Sequence, residues 1–224
     1  MDPLTYLELQ LRLEGKRLIG DAWMRQVETL TNENPALMLI ARLATGEMVT
    51  YYNETLPAEL IGKLAECVPT IQFPRIAPLL DILNSYNVKP EVGHYRTYLF
   101  PTQFAYAPDM DVGSYSSDHP KIKAFQFDHF AERVYAIERD DHIASACASA
   151  REDRHCGEAW VFTDPAYRNQ GLAQRVVGVW ARNLIRAAKT PLYSHKIDNL
   201  ASAALASRLG LRPVFEEISI SSST

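Results

Sequence analysis

Residues 160–173 read Trp-Val-Phe-Thr-Asp-Pro-Ala-Tyr-Arg-Asn-Gln-Gly-Leu-Ala, and they carry the clearest chemistry in the chain. An apolar strand ends at Val161-Phe162-Thr163, a tight turn follows at Asp164-Pro165, and a helix begins soon after. The first turn of an α-helix has unpaired N–H groups and the positive end of the helix dipole, so it attracts anions. Gly171 and Ala173 remove side-chain bulk there, which lets a phosphate approach the backbone closely. In outline this is an anion cradle at a strand–helix junction. It lacks the Gly-Lys-Ser/Thr of a P-loop and the three-glycine spacing of a dinucleotide fingerprint. Arg168, Arg175, Arg182 and Lys189 follow at intervals of seven, on one slowly drifting helical stripe. Arg168 and Arg175, nearest the cradle, are expected to neutralise phosphate charge; Arg182 and Lys189 read as a solvated basic face.

Proton-transfer candidates lie on either side of the cradle. Glu158 precedes it on the same strand and is either a general base or an exposed strand-end carboxylate. His195 lies on a later strand, Leu192–Ile197, and is either a base or an ordinary packed histidine. Asp198, just before Asn199, reads as the cap of a second helix. Ser117-Asp118-His119 resembles a triad only in print, because triad members come from separated chain positions; it reads as a polar turn. The other histidines show no metal-ligand spacing, so no metal is expected. Trp160 and Phe162, alternating with Val161, are expected in the core.

The elements that must hold these residues differ between the two halves. After residue 125 the pattern runs from a short helix starting at Phe125–Phe130 to strands at Val134–Glu138, Ile143–Ala150 and Ala159–Thr163. A long helix at Arg168–Ala188, the strand Leu192–Ile197, a helix at Asn199–Leu209 and a strand at Val214–Ile220 complete it. The first half reads as mixed and mostly helical, with apolar residues from Leu4 to Trp23 at helical spacing and a turn at Asn34-Pro35. A hairpin at Met38–Tyr52, helices at Leu56–Val68 and Ile76–Tyr86, and a strand at His94–Phe100 follow. Residues 101–120, with Pro101, Pro108, Gly113 and Pro120, break every period and mark the expected boundary, giving parts 1–110 and 111–224.

Bulk composition sets the limits. Of 224 residues 47% are hydrophobic and 22% charged, enough for a packed core and too apolar for a disordered chain. Basic residues number 23 and acidic 27, a net charge of −4, so neither nucleic acid nor an anionic membrane is an expected partner. No apolar run reaches the roughly 20 residues of a membrane helix, and no signal peptide is visible. Three cysteines without a CxxC spacing read as reduced thiols, and the expected location is cytoplasmic.

Two stretches together carry a resemblance. Arg168-x-x-Gly171-x-Ala173 after Val161-Phe162-Thr163 resembles the acyl-CoA-binding motif of the GCN5-related N-acetyltransferases (GNATs). Asn199-Leu-Ala-Ser202-Ala-Ala-Leu-Ala-Ser-Arg-Leu-Gly210-Leu211 is similar to that superfamily's second signature helix, and the likeness covers about residues 130–220. It implies an α/β (α+β) fold, with a mixed central sheet flanked by helices and a mostly helical N-terminal extension. It also implies acetyl-CoA as co-substrate, an amine-bearing acceptor and direct transfer in a ternary complex; a homodimer is compatible with it. Carried over, Val161, Phe162 and Thr163 would line the pantetheine arm, paired through the backbone of Val161 and Thr163. Arg168 and the amides of Asn169, Gln170, Gly171, Leu172 and Ala173 would hold the pyrophosphate, joined by Arg175, while Asn199 and Ser202 would face the cofactor from the second helix. One position departs from the pattern. Many members have a tyrosine acid seven residues after the asparagine, where this chain has Ala206. Ser202, Tyr193 or water would then supply the proton, and Glu158 or His195 would serve as base. The alternative is an acyl-CoA-binding module without catalysis.

Overall fold

The computed structural model describes residues 2–19, 25–29, 36–69, 72–101, 104, 109–130 and 133–222, and the chain divides into two compact units. One is Met1–Thr97 with Pro213–Thr224; the other is Tyr98–Arg212. Trp23, the Asn34-Pro35 turn and Pro108 lie outside the described residues.

The first unit opens with α1 (Pro3–Leu13), where Pro3 sits in the first turn and the Asp2 carboxylate accepts from Leu4 N–H at 3.3 Å. β1 (Lys16–Ile19), β2 (Arg25–Thr29), β3 (Ala36–Leu43) and β4 (Met48–Asn53) come next, then α2 (Ala58–Glu66), α3 (Ile76–Ser85) and β5 (Pro90–Leu99). The helical spacing from Leu4 onward therefore stops at Leu13. Gly15, with φ 74°, turns the chain, and the following stretch pairs as strands, Leu18 opposite Val27. This unit is consequently richer in strands than its helical periodicity indicates. Its core gathers Met38, Ile40, Tyr52, Leu60, Leu64, Leu79 and Leu83 between the strands and α2–α3. The expected helices and the Met38–Tyr52 hairpin form as α2, α3 and β3–β4.

The second unit consists of β6 (Val112–Ser116), α4 (Pro120–Ala124), β7 (Arg133–Arg139), β8 (His142–Glu152), β9 (Cys156–Thr163), α5 (Leu172–Arg186), β10 (Thr190–Lys196) and α6 (Leu200–Arg208). Strand order is β10-β9-β8-β7-β6, antiparallel from β6 to β9, with β10 parallel to β9. The β7–β8 turn at Asp140-Asp141 has positive φ at both residues, the geometry that suits a two-residue hairpin. α4 starts five residues before the expected Phe125, because Pro120 opens its first turn and His119 Nδ1 caps Lys121 N–H at 3.3 Å. That is the role of the Ser117-Asp118-His119 turn. α5 buries Leu172, Val176, Val177, Trp180 and Leu184 against β7–β9, and Trp180 Nε1 donates to Ser149 Oγ at 3.0 Å. Gly157 allows that approach, since a Cβ there would come within 2.9 Å of Leu184 Cδ1. After α6 the chain forms β11 (Arg212–Ser222), whose residues from Pro213 belong to the first unit beside β3. The fold is α/β, with mixed sheets flanked by helices. No helix among the described residues is long and apolar enough to cross a membrane.

Candidate active site

The site begins where β9 and β10 part. They pair as parallel neighbours only at Thr190–Cys156, Pro191–Gly157 and Leu192–Glu158, yet β9 continues to Thr163 and β10 to Lys196. Beyond Glu158, the β9 edge away from β8 therefore offers N–H and C=O groups without a strand partner. A cavity of about 380 Å³ lies at this cleft, between the ends of β9 and the N-termini of α5 and α6. Val161, Phe162, Thr163, Arg168, Asn169, Gly171, Leu172, Ala173, Asn199 and Ser202 all line it. Tyr167, Gln174, Tyr193, Ala201, Leu205 and Arg208 complete the wall.

The turn into α5 is built for an anion. Asp164 caps the 3-10 turn Pro165–Tyr167 by accepting from Ala166 N–H at 2.8 Å. Asn169 (φ 62°) and Gly171 (φ 75°) are both left-handed, an alternation that aims backbone N–H groups into a concavity. α5 starts at Leu172 rather than Arg168, and its first intrahelical bond is Arg175 N–H to Gly171 O. No side chain caps this helix, as none caps α2 or α3, whereas α1, α4 and α6 are capped. A Cβ on Gly171 would meet nothing within 4 Å, so the N-terminus opens on free space. The donors and the room fit a pyrophosphate.

Around the cradle, several side chains take positions the spacing alone does not give. Arg168 Nε donates to Thr163 O at 3.3 Å and its guanidinium lies 5.9 Å from the Phe162 ring centroid. Gln170 is exposed and outside the cavity wall. Arg175 is not at the cavity either. Its guanidinium forms two 2.6 Å bonds to the Asp109 carboxylate and one of 2.8 Å to Asp111, holding both carboxyls below their ordinary range. The guanidinium is thus held by two carboxylates and is not part of the cavity wall. Asn199, rather than Asp198, is the N-cap of α6, its Oδ1 accepting from Ser202 N–H at 3.0 Å.

The proton-transfer candidates separate clearly. Glu158 occupies the last paired position before the cleft, on the face away from α5, with Arg151 Nη1 at 3.0 Å from its Oε2. His195 is 6% exposed and stacks on Tyr98 at 5.3 Å. Nδ1 lies 2.7 Å from Lys196 O and Nε2 3.2 Å from Tyr98 Oη, so both ring nitrogens are engaged. Ala206 is fully buried in the core against α5 and is not part of this cavity's wall. Tyr193 does face it. This tyrosine follows Leu192, where β10 leaves the ladder; burial pushes its hydroxyl up to about 12, while a hydrogen bond with Ser202 pulls the other way. Trp160 and Phe162, expected in the core, are 51% and 43% exposed. β10 has left their flank, so one strand neighbour is missing. Among the described residues no group of three or more His, Cys, Asp or Glu could hold a metal.

Residues 121–216 match the family described as GNAT acetyltransferase. Of solved structures, a putative GNAT-family acetyltransferase from Novosphingobium aromaticivorans superposes with a TM-score of 0.51 at 17% identity, over 60% of this chain and 66% of that one. A GCN5-related N-acetyltransferase-like protein from Streptococcus suis superposes with 0.50 at 14% identity, over 93% and 83%. At such identities these likenesses speak to the fold alone. No curated protein matches the chain. Residues 121–216, which hold the parted strands and the uncapped helix between them, are thus similar to the GNAT acetyltransferase family.

Proposed function

We propose that this protein is an acetyl-CoA-dependent N-acetyltransferase that passes the acetyl group directly to an amine in a ternary complex. The observation that carries the reading is the uncapped N-terminus of α5, opening through Gly171 on the cavity beside the stretch of β9 that β10 has left. Acetyl-CoA would supply an acyl group activated as a thioester. The amides of 169–173 and Arg168 would bind its pyrophosphate, and the edge of β9 at Val161 and Thr163 would hold the pantetheine as an added strand. Glu158, on the opposite face of β9 from α5, would take a proton from the acceptor amine directly or through a water. Tyr193 would give its hydroxyl proton to the departing sulfur, in place of the tyrosine missing at Ala206. A cytoplasmic location goes with this reading.

The test is calorimetric. Wild-type protein should bind CoA with a micromolar or tighter Kd, and Gly171→Glu, which brings a strained left-handed side chain and a negative charge to the cradle, should abolish binding. Unchanged affinity in folded Gly171→Glu protein would sink the assignment. CoA binding without thiol release from acetyl-CoA, over a panel of amines and pH values, would favour the non-catalytic module instead. The buried alanine at position 206 is what gives that second reading its footing.

A further inference from the structure

The most unusual surface of the second unit is the face of β9 turned away from α5. Glu158, Trp160 and Phe162 alternate along it. Among the described residues five large hydrophobic side chains are exposed, and two of them, Trp160 and Phe162, stand side by side here. They are not isolated. Phe130 stacks on Trp160 at 5.3 Å and 28°, Phe125 lies 5.6 Å from Phe162, and Phe127 lies 4.9 Å from Phe130. Opposite them on β8 stand only Ala148 and Ala146, so nothing large covers the rings from that side. On the other flank β10 has already left the ladder. The ring faces thus border the cleft, and Phe162 belongs to both the aromatic face and the cavity wall.

Resting on the transferase reading above, the geometry points to the acceptor: an arylalkyl amine, whose flat apolar body lies on Trp160 and Phe162 and whose amine is directed to Glu158. Exposed aromatic rings in a wall continuous with the cavity attract a planar apolar group by stacking and burial. Their negative π faces and the Glu158 carboxylate both attract an ammonium group. Charge and shape therefore call for one molecule with both features. A linear polyamine would find a single carboxylate and leave the rings exposed.

The experiment compares 2-phenylethylamine with hexylamine in saturation-transfer NMR and calorimetry, using wild type, Trp160→Ala and Trp160→Phe, each checked for folding by circular dichroism. Phenylethylamine should bind wild type at least tenfold tighter than hexylamine. Trp160→Ala should weaken it tenfold or more, Trp160→Phe threefold or less, and CoA affinity should stay within twofold in both variants. Equal binding of the two amines, or indifference to Trp160→Ala, overturns the proposal. So does a wild-type dimer that Trp160→Ala dissociates, because the patch would then be a face between copies. Thiol release from acetyl-CoA is read separately. Trp160-dependent binding without turnover of any amine would remove the transferase reading and leave the aromatic site standing. Turnover that ignores the ring would do the reverse.

Discussion

At the scale of single residues, the proposed transfer rests its proton to the leaving sulfur on Tyr193. Tyr193 stands on β10 where the strands part, 2% exposed, and its burial holds the hydroxyl protonated well past neutral pH. A neutral phenol can donate to a departing thiolate at pH 7, where a carboxylate cannot. Tyr193→Phe should therefore keep CoA affinity and lower kcat tenfold or more, on the scale of general acid catalysis. Ser202→Ala should retain most of kcat, because the proton is assigned to Tyr193 and Ser202 serves as its hydrogen-bond partner. Full activity in Tyr193→Phe would assign the proton to water. The pH profile adds a second check. With the hydroxyl pushed up to about 12, the rate should climb through roughly 7–9 and show no falling limb from a tyrosine near ~10. The stability consequence has the opposite direction. A tyrosine whose folded value is raised contributes fully below the unfolded ~10, and that contribution drains away from pH 10 toward 12. Tyr193→Phe should flatten alkaline denaturation in that window.

At the scale of elements, the sequence was most readable where local rules decide the structure. The cradle, the strands β7–β10 and the second helix follow from periodicity, small residues and caps that act within a few positions. The ion pairs of Arg175 were not legible because its partners are distant: Asp109 and Asp111 lie more than sixty residues away. Spacing within the helix cannot show them. Trp160 and Phe162 were misread for a related reason, since alternation gives the face of a strand but not whether a neighbouring strand covers it. The Arg175 clamp makes its own prediction. Arg175→Ala should leave CoA and dephospho-CoA affinities equally unchanged, against the phosphate role that the seven-residue stripe led one to expect. It should instead cost about 1 kcal/mol of stability through the bidentate Asp109 pair, read by urea melts. The Asp109 carboxyl is depressed by that arginine, so its contribution is complete above the ordinary carboxylate value of about 4 and is lost as pH falls below it. Wild type should lose stability more steeply than Arg175→Ala below about pH 4. Matching slopes would mean that the clamp contributes nothing.

At the scale of the whole molecule, the chain returns to finish its first unit only at the end. β11 pairs with β3 from Phe215–Leu43 to Ser221–Ala36, residues more than 170 positions apart, and stands between β3 and β5 in strand order. Val214, Phe215, Ile218 and Ile220 are all buried along it. No sequence period could announce that partnership, and this is why the first unit was the less legible of the two. The unit thus depends on a strand that arrives after the entire second unit. Removing it would leave two long strand edges unpaired and open the apolar face of β3, the condition that leads to association between chains. A chain ended after Arg212 is therefore expected to aggregate on expression. The full-length Ile220→Ala protein should stay soluble and lose about 2–4 kcal/mol in a urea melt, the cost of emptying a closed aliphatic site. A monomeric truncated protein with the wild-type melting temperature would show that β11 is dispensable. A change under 0.5 kcal/mol in Ile220→Ala would show that its packing is loose.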